Sequence, residues 1–195
     1  MNKVLEAREN RALLIQKQDF LNNNIIIIKA NIPGPNKNLE IAYILINIFK
    51  NELKKIITIK EELFFNSDDG PYYLLLINKV NVKDKLINLE ESHPLGRFID
   101  LDLFIDSRKS ISRNEINRPL RKCMICDNDA IRCVREKKHG LDEIISLINE
   151  NVFNYITDVL NAIISESIFL ELNLDNKFGL VTPTSNGSHH DMDYA

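Results

Sequence analysis

An α+β fold, in which helices pack on a mixed β-sheet, is the architecture this sequence predicts. Three observations carry that reading. Stretches of helical and strand periodicity interleave as helix, strand, helix, strand, strand, helix, strand, strand. Turns rich in Gly, Pro and Asp separate them at 33–35, 67–71 and 93–97. The composition, 44% hydrophobic and 27% charged, is that of an ordinary globular chain.

Taken in order, Val4 to Phe20 reads as a helix with Arg8 and Arg11 one turn apart. Asn22 to Asn24 break it, and IIIIKAN (25–31) is a β-branched run suited to a buried strand. Pro33-Gly34-Pro35 is a rigid turn, since two prolines fix φ on either side of a permissive glycine. Ile41, Ile44, Leu45, Ile48 and Phe49 then fall on one helical stripe facing a sheet. Strands are expected over 56–65 and 72–78, on either side of Ser67-Asp68-Asp69-Gly70-Pro71. A helix over 82–91 leads to the turn His93-Pro94-Leu95-Gly96-Arg97. FIDLDLFI (98–105) alternates as a strand, with a short partner near Ile111. Residues 115–139 look irregular, and from Leu141 to about Leu174 a long helical pattern runs on.

At 195 residues there is room for one full domain, or for one domain and part of another. The net charge of −3 gives no sign of a partner among nucleic acids or anionic membranes. No segment is apolar for the length a bilayer requires, and MNKVLEAREN lacks the apolar stretch of a signal peptide. The three cysteines sit between 123 and 133, which argues against a secreted disulfide scaffold and for reduced thiols or metal ligation. A cytoplasmic location is expected.

The sharpest chemical feature is Gly96-Arg97-Phe98-Ile99-Asp100-Leu101-Asp102. On a strand, Asp100 and Asp102 face the same way with Cα atoms about 6.8 Å apart, while Ile99, Leu101 and Leu103 face the other way. Two adjacent carboxylates repel unless a cation or a proton is shared between them. Mg²⁺ held by one or two carboxylates and substrate phosphates meets that need. Gly96 lets the preceding turn approach a phosphate closely, and Arg97 can hold one by paired hydrogen bonds. Read without context, the same strand is an edge whose acids face solvent. A helix, a Gly turn and a D-x-D strand together resemble the metal-binding core of nucleotidyltransferases.

Cys123-x-x-Cys126, Cys133 and His139 have the spacing of a closed, four-coordinate Cys₃His zinc site, a structural one because no position stays open. The other reading is small buried thiols beside basic residues (Arg121, Lys122, Arg132, Arg135, Lys137, Lys138) that meet phosphates or an acidic protein.

ESHPLGRFIDLDL (91–103) resembles the signature of the citrate lyase holo-acyl-carrier-protein synthases, the apo-citrate lyase phosphoribosyl-dephospho-CoA transferases. The likeness extends to Arg8-Glu9-Asn10-Arg11, Ile32-Pro33-Gly34-Pro35 with Lys37, Ser112-Arg113, Arg121 to Cys126, Cys133 and His139. Leu103 departs from it, where valine is usual, as does Asn117-Arg118 before Pro119, where a second proline is common.

The resemblance implies nucleotidyl-type transfer. A serine of the citrate lyase acyl carrier protein attacks the α-phosphate of triphosphoribosyl-dephospho-CoA, and pyrophosphate leaves. It further implies Mg²⁺ at Asp100 and Asp102, phosphate contact at Arg97, and proton transfer or a structural role for His93. Arg8, Arg11, Gly34, Lys37 and Gly96 would meet substrate, and a third metal carboxylate remains to be identified. Alternative readings are a synthase serving a related lyase or decarboxylase, and a zinc-binding interaction module without transferase activity.

Gly179-Leu180-Val181 and Asn186 to Asp193 resemble the opening of triphosphoribosyl-dephospho-CoA synthase, which makes the donor from ATP and dephospho-CoA. Phe178 and Thr182 depart from that pattern. The expected organisation is a transferase domain over 1–140. A linker helix and the first part of a synthase domain then fill 141–195, as in the N-terminal part of a bifunctional fusion.

Overall fold

Four strands form one sheet in the order β2-β3-β1-β4, with β1 at Asn23–Ala30, β2 at Ile59–Phe65, β3 at Tyr72–Asn78 and β4 at Ile99–Phe104. These come from a computed structural model that describes residues 3–106 and 109–178, the last eleven by their backbone alone. The chain divides into two units, Met1–Tyr155 and Ile156–Ala195. The sheet and the site described below lie in the first. The segments read above as the opening of a synthase, from Gly179 on, lie outside the described residues.

The helices of the first unit are α1 (Lys3–Gln16), α2 (Glu40–Ile56), α3 (Lys83–Ser92) and α4 (Ala130–Glu136), and α5 (Leu141–Phe178) begins there. The α+β class expected from the periodicities is the one observed. All three strand pairings are antiparallel, however, so the sheet is not mixed. The two helical crossovers explain the difference. β1-α2-β2 and β3-α3-β4 each join strands that run the same way, but another strand lies between the members of each pair. This is the split βαβ arrangement of a β-α-β-β-α-β unit. Periodicity reveals the strands and the crossovers but not which strands become neighbours.

Both faces of β1 are covered, which is why IIIIK reads as a continuous apolar run and not as an alternation. Ile25 and Ile27 pack with Tyr72, Leu74 and Ile15 of α1 on one face. Ile26 and Ile28 lie on the opposite face, along which α2 runs. The buried residues of α2 are Ala42, Leu45, Ile46, Phe49 and Leu53, one stripe at helical spacing. That stripe keeps Leu45 and Phe49 from the expected set and leaves Ile44 exposed.

Two local expectations shift. The short strand near Ile111 is a single bridge between Phe104 and Ser110. The segment expected to be irregular contains α4, which ends where Lys137 adopts a left-handed φ of 49°.

Candidate active site and metal centre

β4 lies at the edge of the sheet, and its burial alternates as its sequence does. Ile99, Leu101 and Leu103 are buried, while Asp100 and Asp102 are only partly covered. Opposite them on β1 stand Lys29 and Ile27, so these four side chains share one face. The free edge of β4 is finished by side chains of α3. The Leu101 N–H donates to Glu90 Oε1 at 2.9 Å, and the Leu101 carbonyl accepts from Lys83 Nζ at 3.1 Å. Glu90 and Lys83 are both buried. Such groups are found inside when their charges and hydrogen bonds are matched, and here they satisfy an edge that another strand would otherwise pair with.

Arg121 joins this edge to the aspartates. Its guanidinium reaches Asp100 Oδ1 at 2.6 Å, the Ile99 carbonyl at 2.9 Å and Glu90 Oε1 at 2.8 Å. Arg113 takes the other oxygen, Glu90 Oε2, at 2.6 Å. A cavity of about 410 Å³ opens here, lined by Asp100, Asp102, Glu90, Lys83, Arg113 and Arg121 among others.

Asp100 opens on the cavity with 42% of its side chain exposed. Even so, the protein around it raises its pKa, by burial first, with Asp102 and Glu90 adding to the rise and Arg121 opposing it. Lys83 is shifted down by burial, against the pull of Asp102 and Glu90. A carboxylate pair whose negative charge is incompletely answered suits a divalent cation. The donors present therefore fit Mg²⁺, with Arg121 occupying one oxygen of Asp100.

The turn before β4 is built differently from the expectation of close phosphate approach. A Cβ on Gly96 would stand 2.1 Å from the Glu90 carbonyl oxygen, so the glycine is required for seating the turn on the end of α3. Arg97 donates to the Cys123 carbonyl at 2.8 Å, tying the turn to the cysteine segment. It also lines a second cavity of about 510 Å³ together with Gly34, Arg121, Met124, Val134 and Ile144. His93 meets other neighbours. Its Nδ1 accepts the Leu95 N–H at 3.1 Å, its Nε2 lies 3.3 Å from the Tyr155 hydroxyl, and its ring packs on Phe49. These contacts hold the turn; none of them is with Asp100 or Asp102.

Arg8 and Arg11 meet at a residue the sequence did not single out. Asp69, fully buried in the turn between β2 and β3, accepts from Arg8 Nε at 3.0 Å and Arg11 Nη1 at 2.8 Å, and pairs with Lys29 as well. Burial pushes the Asp69 pKa up, but hydrogen bonds from Lys29 and Arg11 outweigh it and leave the value lowered. Lys37 donates to the Ile32 carbonyl and lies in the field of Lys29, Asp69, Arg8 and Asp100. Gly34, at φ +80°, faces the side chain of Leu141.

Cys123, Cys126, Cys133 and His139 come together as the spacing suggested, with their ligand atoms all within 4.8 Å of one another. Cys126 Sγ is 3.5 Å from Cys133 Sγ and 3.3 Å from His139 Nε2. Around zinc with bonds of about 2.0–2.3 Å, tetrahedral ligand atoms lie roughly 3.5–3.8 Å apart. The Asn128 backbone N–H and then His139 hold the Cys126 thiol down to about 6, while burial first pushes Cys133 up to about 11. The cluster could hold a metal ion such as zinc, and all four ligands come from the protein. Lys122 and Asp129 pair across the loop between the first two ligands and α4.

Arg121, Glu90, Lys83, Lys29 and Asp69 were not singled out as site residues. Lys29 left a signal, as a lysine inside an otherwise apolar strand. Glu90 and Asp69 look like surface acids in a one-dimensional reading.

The family model described as apo-citrate lyase phosphoribosyl-dephospho-CoA transferase matches residues 1–155. The chain is 35% identical to Protein CitXG of Leuconostoc mesenteroides subsp. cremoris, over 97% of this chain and 45% of that protein. It is 30% identical to Protein CitXG of Haemophilus influenzae, over 98% of this chain and 43% of the other. A probable apo-citrate lyase phosphoribosyl-dephospho-CoA transferase of Streptococcus pyogenes is 30% identical, over 80% of this chain and 86% of its own length. The chain thus spans less than half the length of the first two relatives.

Proposed function

This chain belongs to the apo-citrate lyase phosphoribosyl-dephospho-CoA transferase family, and from that membership we propose that it loads the prosthetic group onto the citrate lyase acyl carrier protein. The carrier's serine oxygen attacks the α-phosphorus of triphosphoribosyl-dephospho-CoA. The bond from that phosphorus to the pyrophosphate oxygen breaks, pyrophosphate departs, the serine proton is released, and a phosphodiester remains. The observation that carries the reading is the D-x-D strand, with Asp100 and Asp102 on one face and Arg121 against Asp100.

Asp100 and Asp102 are the residues that would hold Mg²⁺, which when bound neutralises charge developing on the phosphates. Arg97 and Arg121 flank the strand as phosphate contacts, and Glu90 holds Arg121 in place. Arg8, Arg11, Gly34, Lys37 and Gly96 complete the substrate side, Gly96 by fixing the turn. His93 serves that turn as well, through Leu95 and Tyr155. We place the reaction in the cytoplasm; among the described residues no helix is long and apolar enough to cross a membrane.

Incubating the chain with apo carrier protein, triphosphoribosyl-dephospho-CoA and Mg²⁺ tests the reading. The carrier is expected to gain the mass of one phosphoribosyl-dephospho-CoA group. A carrier of unchanged mass would overturn it.

The residues after 140 we assign to a linker helix and the start of a donor-making synthase domain. In support, the two longer relatives match 97% and 98% of this chain. Release of adenine from ATP and dephospho-CoA by this chain alone would contradict that division.

A further inference from the structure

Asp69 gathers more positive charge than it can balance. Arg8, Arg11 and Lys29 all pair with its one carboxylate. Lys37 lies close enough for its charge to be felt by the same group. These are not solvated surface cations. Arg11 and Lys29 each keep 17% exposure, and burial is the first cause of lowered pKa values at both Lys29 and Lys37. Positive charge removed from water and left unmatched by protein acids is costly unless an anion completes it.

The direction of the cluster is informative. Lys29 is the cross-strand partner of Asp100 and shares its face of the sheet, with neighbouring strands about 4.8 Å apart. A phosphate chain with one end at the aspartate pair would pass over Lys29 toward Arg8 and Arg11 on α1. We propose that Lys29, Arg8, Arg11 and Lys37 form a site for the pyrophosphate half of a triphosphate ester, with Asp69 as the positioning residue that aims three of the four cations. The inference rests on the transferase reading for the identity of the ester. The site itself requires only two linked phosphates.

The scaffold is fixed before any ligand arrives. The turn that carries Asp69 is closed by the Gly70 N–H on the Ser67 carbonyl at 2.9 Å and by Ser67 Oγ on the Gly70 carbonyl at 2.9 Å. Gly70 has φ +95°, and a Cβ there would sit 3.0 Å from the Lys37 carbonyl oxygen, so the turn clamps the loop that carries Lys37. Asn38 adds a hydrogen bond to the Ser67 carbonyl at 2.9 Å. On α1, Arg8 and Arg11 are three residues apart and reach Asp69 from one helical face. Arg11 also lies over the Tyr72 ring, 5.4 Å from its centre. Charge-assisted hydrogen bonds held in one geometry are the strong kind for phosphate.

Titrating inorganic pyrophosphate into the chain by calorimetry, without carrier, donor or divalent cation, tests this. Wild-type protein is expected to bind it more tightly than orthophosphate. Lys29→Met is expected to weaken pyrophosphate binding on the order of tenfold. Asp69→Asn separates positioning from mere net charge. Removing a negative charge strengthens an anion site that works by total charge, whereas loss of the aiming carboxylate weakens it. Weaker binding by Asp69→Asn, at unchanged circular dichroism, supports the positioning role, and equal or tighter binding overturns it. Should Asp69→Asn fail to fold, Arg8→Gln and Lys29→Met decide the site, because Arg8 is half exposed on α1. No pyrophosphate binding, or binding indifferent to both, overturns the proposal. Since no carrier or donor is present, failure here is distinguishable from failure of the transfer reaction.

Discussion

At the scale of single residues, Asp100 carries conflicting demands. Burial, Asp102 and Glu90 all favour its protonated form, and Arg121 favours the charged one, with the net shift upward. The folded state therefore holds that proton more tightly than the unfolded chain does. This stabilisation is full below the unfolded pKa and is lost as pH rises through the folded one. At neutral pH the ionised group costs metal-free protein stability, so Asp100→Asn is expected to leave the melting temperature unchanged or raised. Transfer should nevertheless fall on the order of 10²-fold or more, since the metal-binding charge is gone, and Asp102→Asn should act alike. Steady-state transfer at saturating Mg²⁺, read beside thermal melts, checks both statements; a variant transferring at the wild-type rate removes the metal assignment. The aspartates were legible because strand parity alone sets them on one face. Arg121 was not, because its reach to Asp100 depends on how a segment twenty residues away folds back.

At the scale of elements, the end of α3 and the start of β4 form one device. Glu90 and Lys83 satisfy the backbone of Leu101, and Gly96 lets the turn pass against the Glu90 carbonyl. Since the obstructing atom is backbone, Gly96→Ala cannot be relieved by a rotamer change. It is expected to destabilise the fold by about 1–3 kcal/mol, the usual cost of overpacking, or more. A shift of the denaturation midpoint checks this, and a midpoint equal to wild type would show that the turn yields easily.

The cysteine segment is held in another way, with only Cys123 and Cys133 buried along it among its described apolar residues. Metal ligation supplies the ordering energy that so small a core cannot. Protein purified in reducing buffer without chelator is expected to carry about one zinc per chain, as one Cys₃His site requires. Cys126→Ser should lose the metal and expose residues 115–139 to proteolysis. Elemental analysis without zinc would leave packed thiols as the description of the cluster. Ligand spacing made this cluster readable from sequence. The neighbour order of the strands was not readable, because the crossover helices do not reveal that a third strand inserts between the two they join.

At the scale of the whole molecule, the expected division after residue 140 meets a unit that ends at Tyr155. The intervening turns of α5 do work for the first unit. Leu141 lies against Gly34, Ile148 and Val152 are buried, and the Tyr155 hydroxyl meets His93 in the turn that leads to Asp100. The family match also runs to 155. Helical periodicity after Leu141 could not show this, since it reports an apolar stripe without naming what the stripe covers. Two shortened chains distinguish the boundaries. Residues 1–155 are expected to melt within a few degrees of the full chain and to transfer at about half its rate or better, since every residue placed at the site lies before Tyr155. Residues 1–140 keep all four Cys₃His ligands and both aspartates but lose Ile148 and Val152. At about 1.5–3 kcal/mol for each buried side chain, that loss takes a large share of the 5–15 kcal/mol that holds a typical domain together. The shorter chain should therefore melt far lower and lose transfer through the loosened turn, even with its chemical groups intact. Equal stability of the two chains would return the boundary to residue 140.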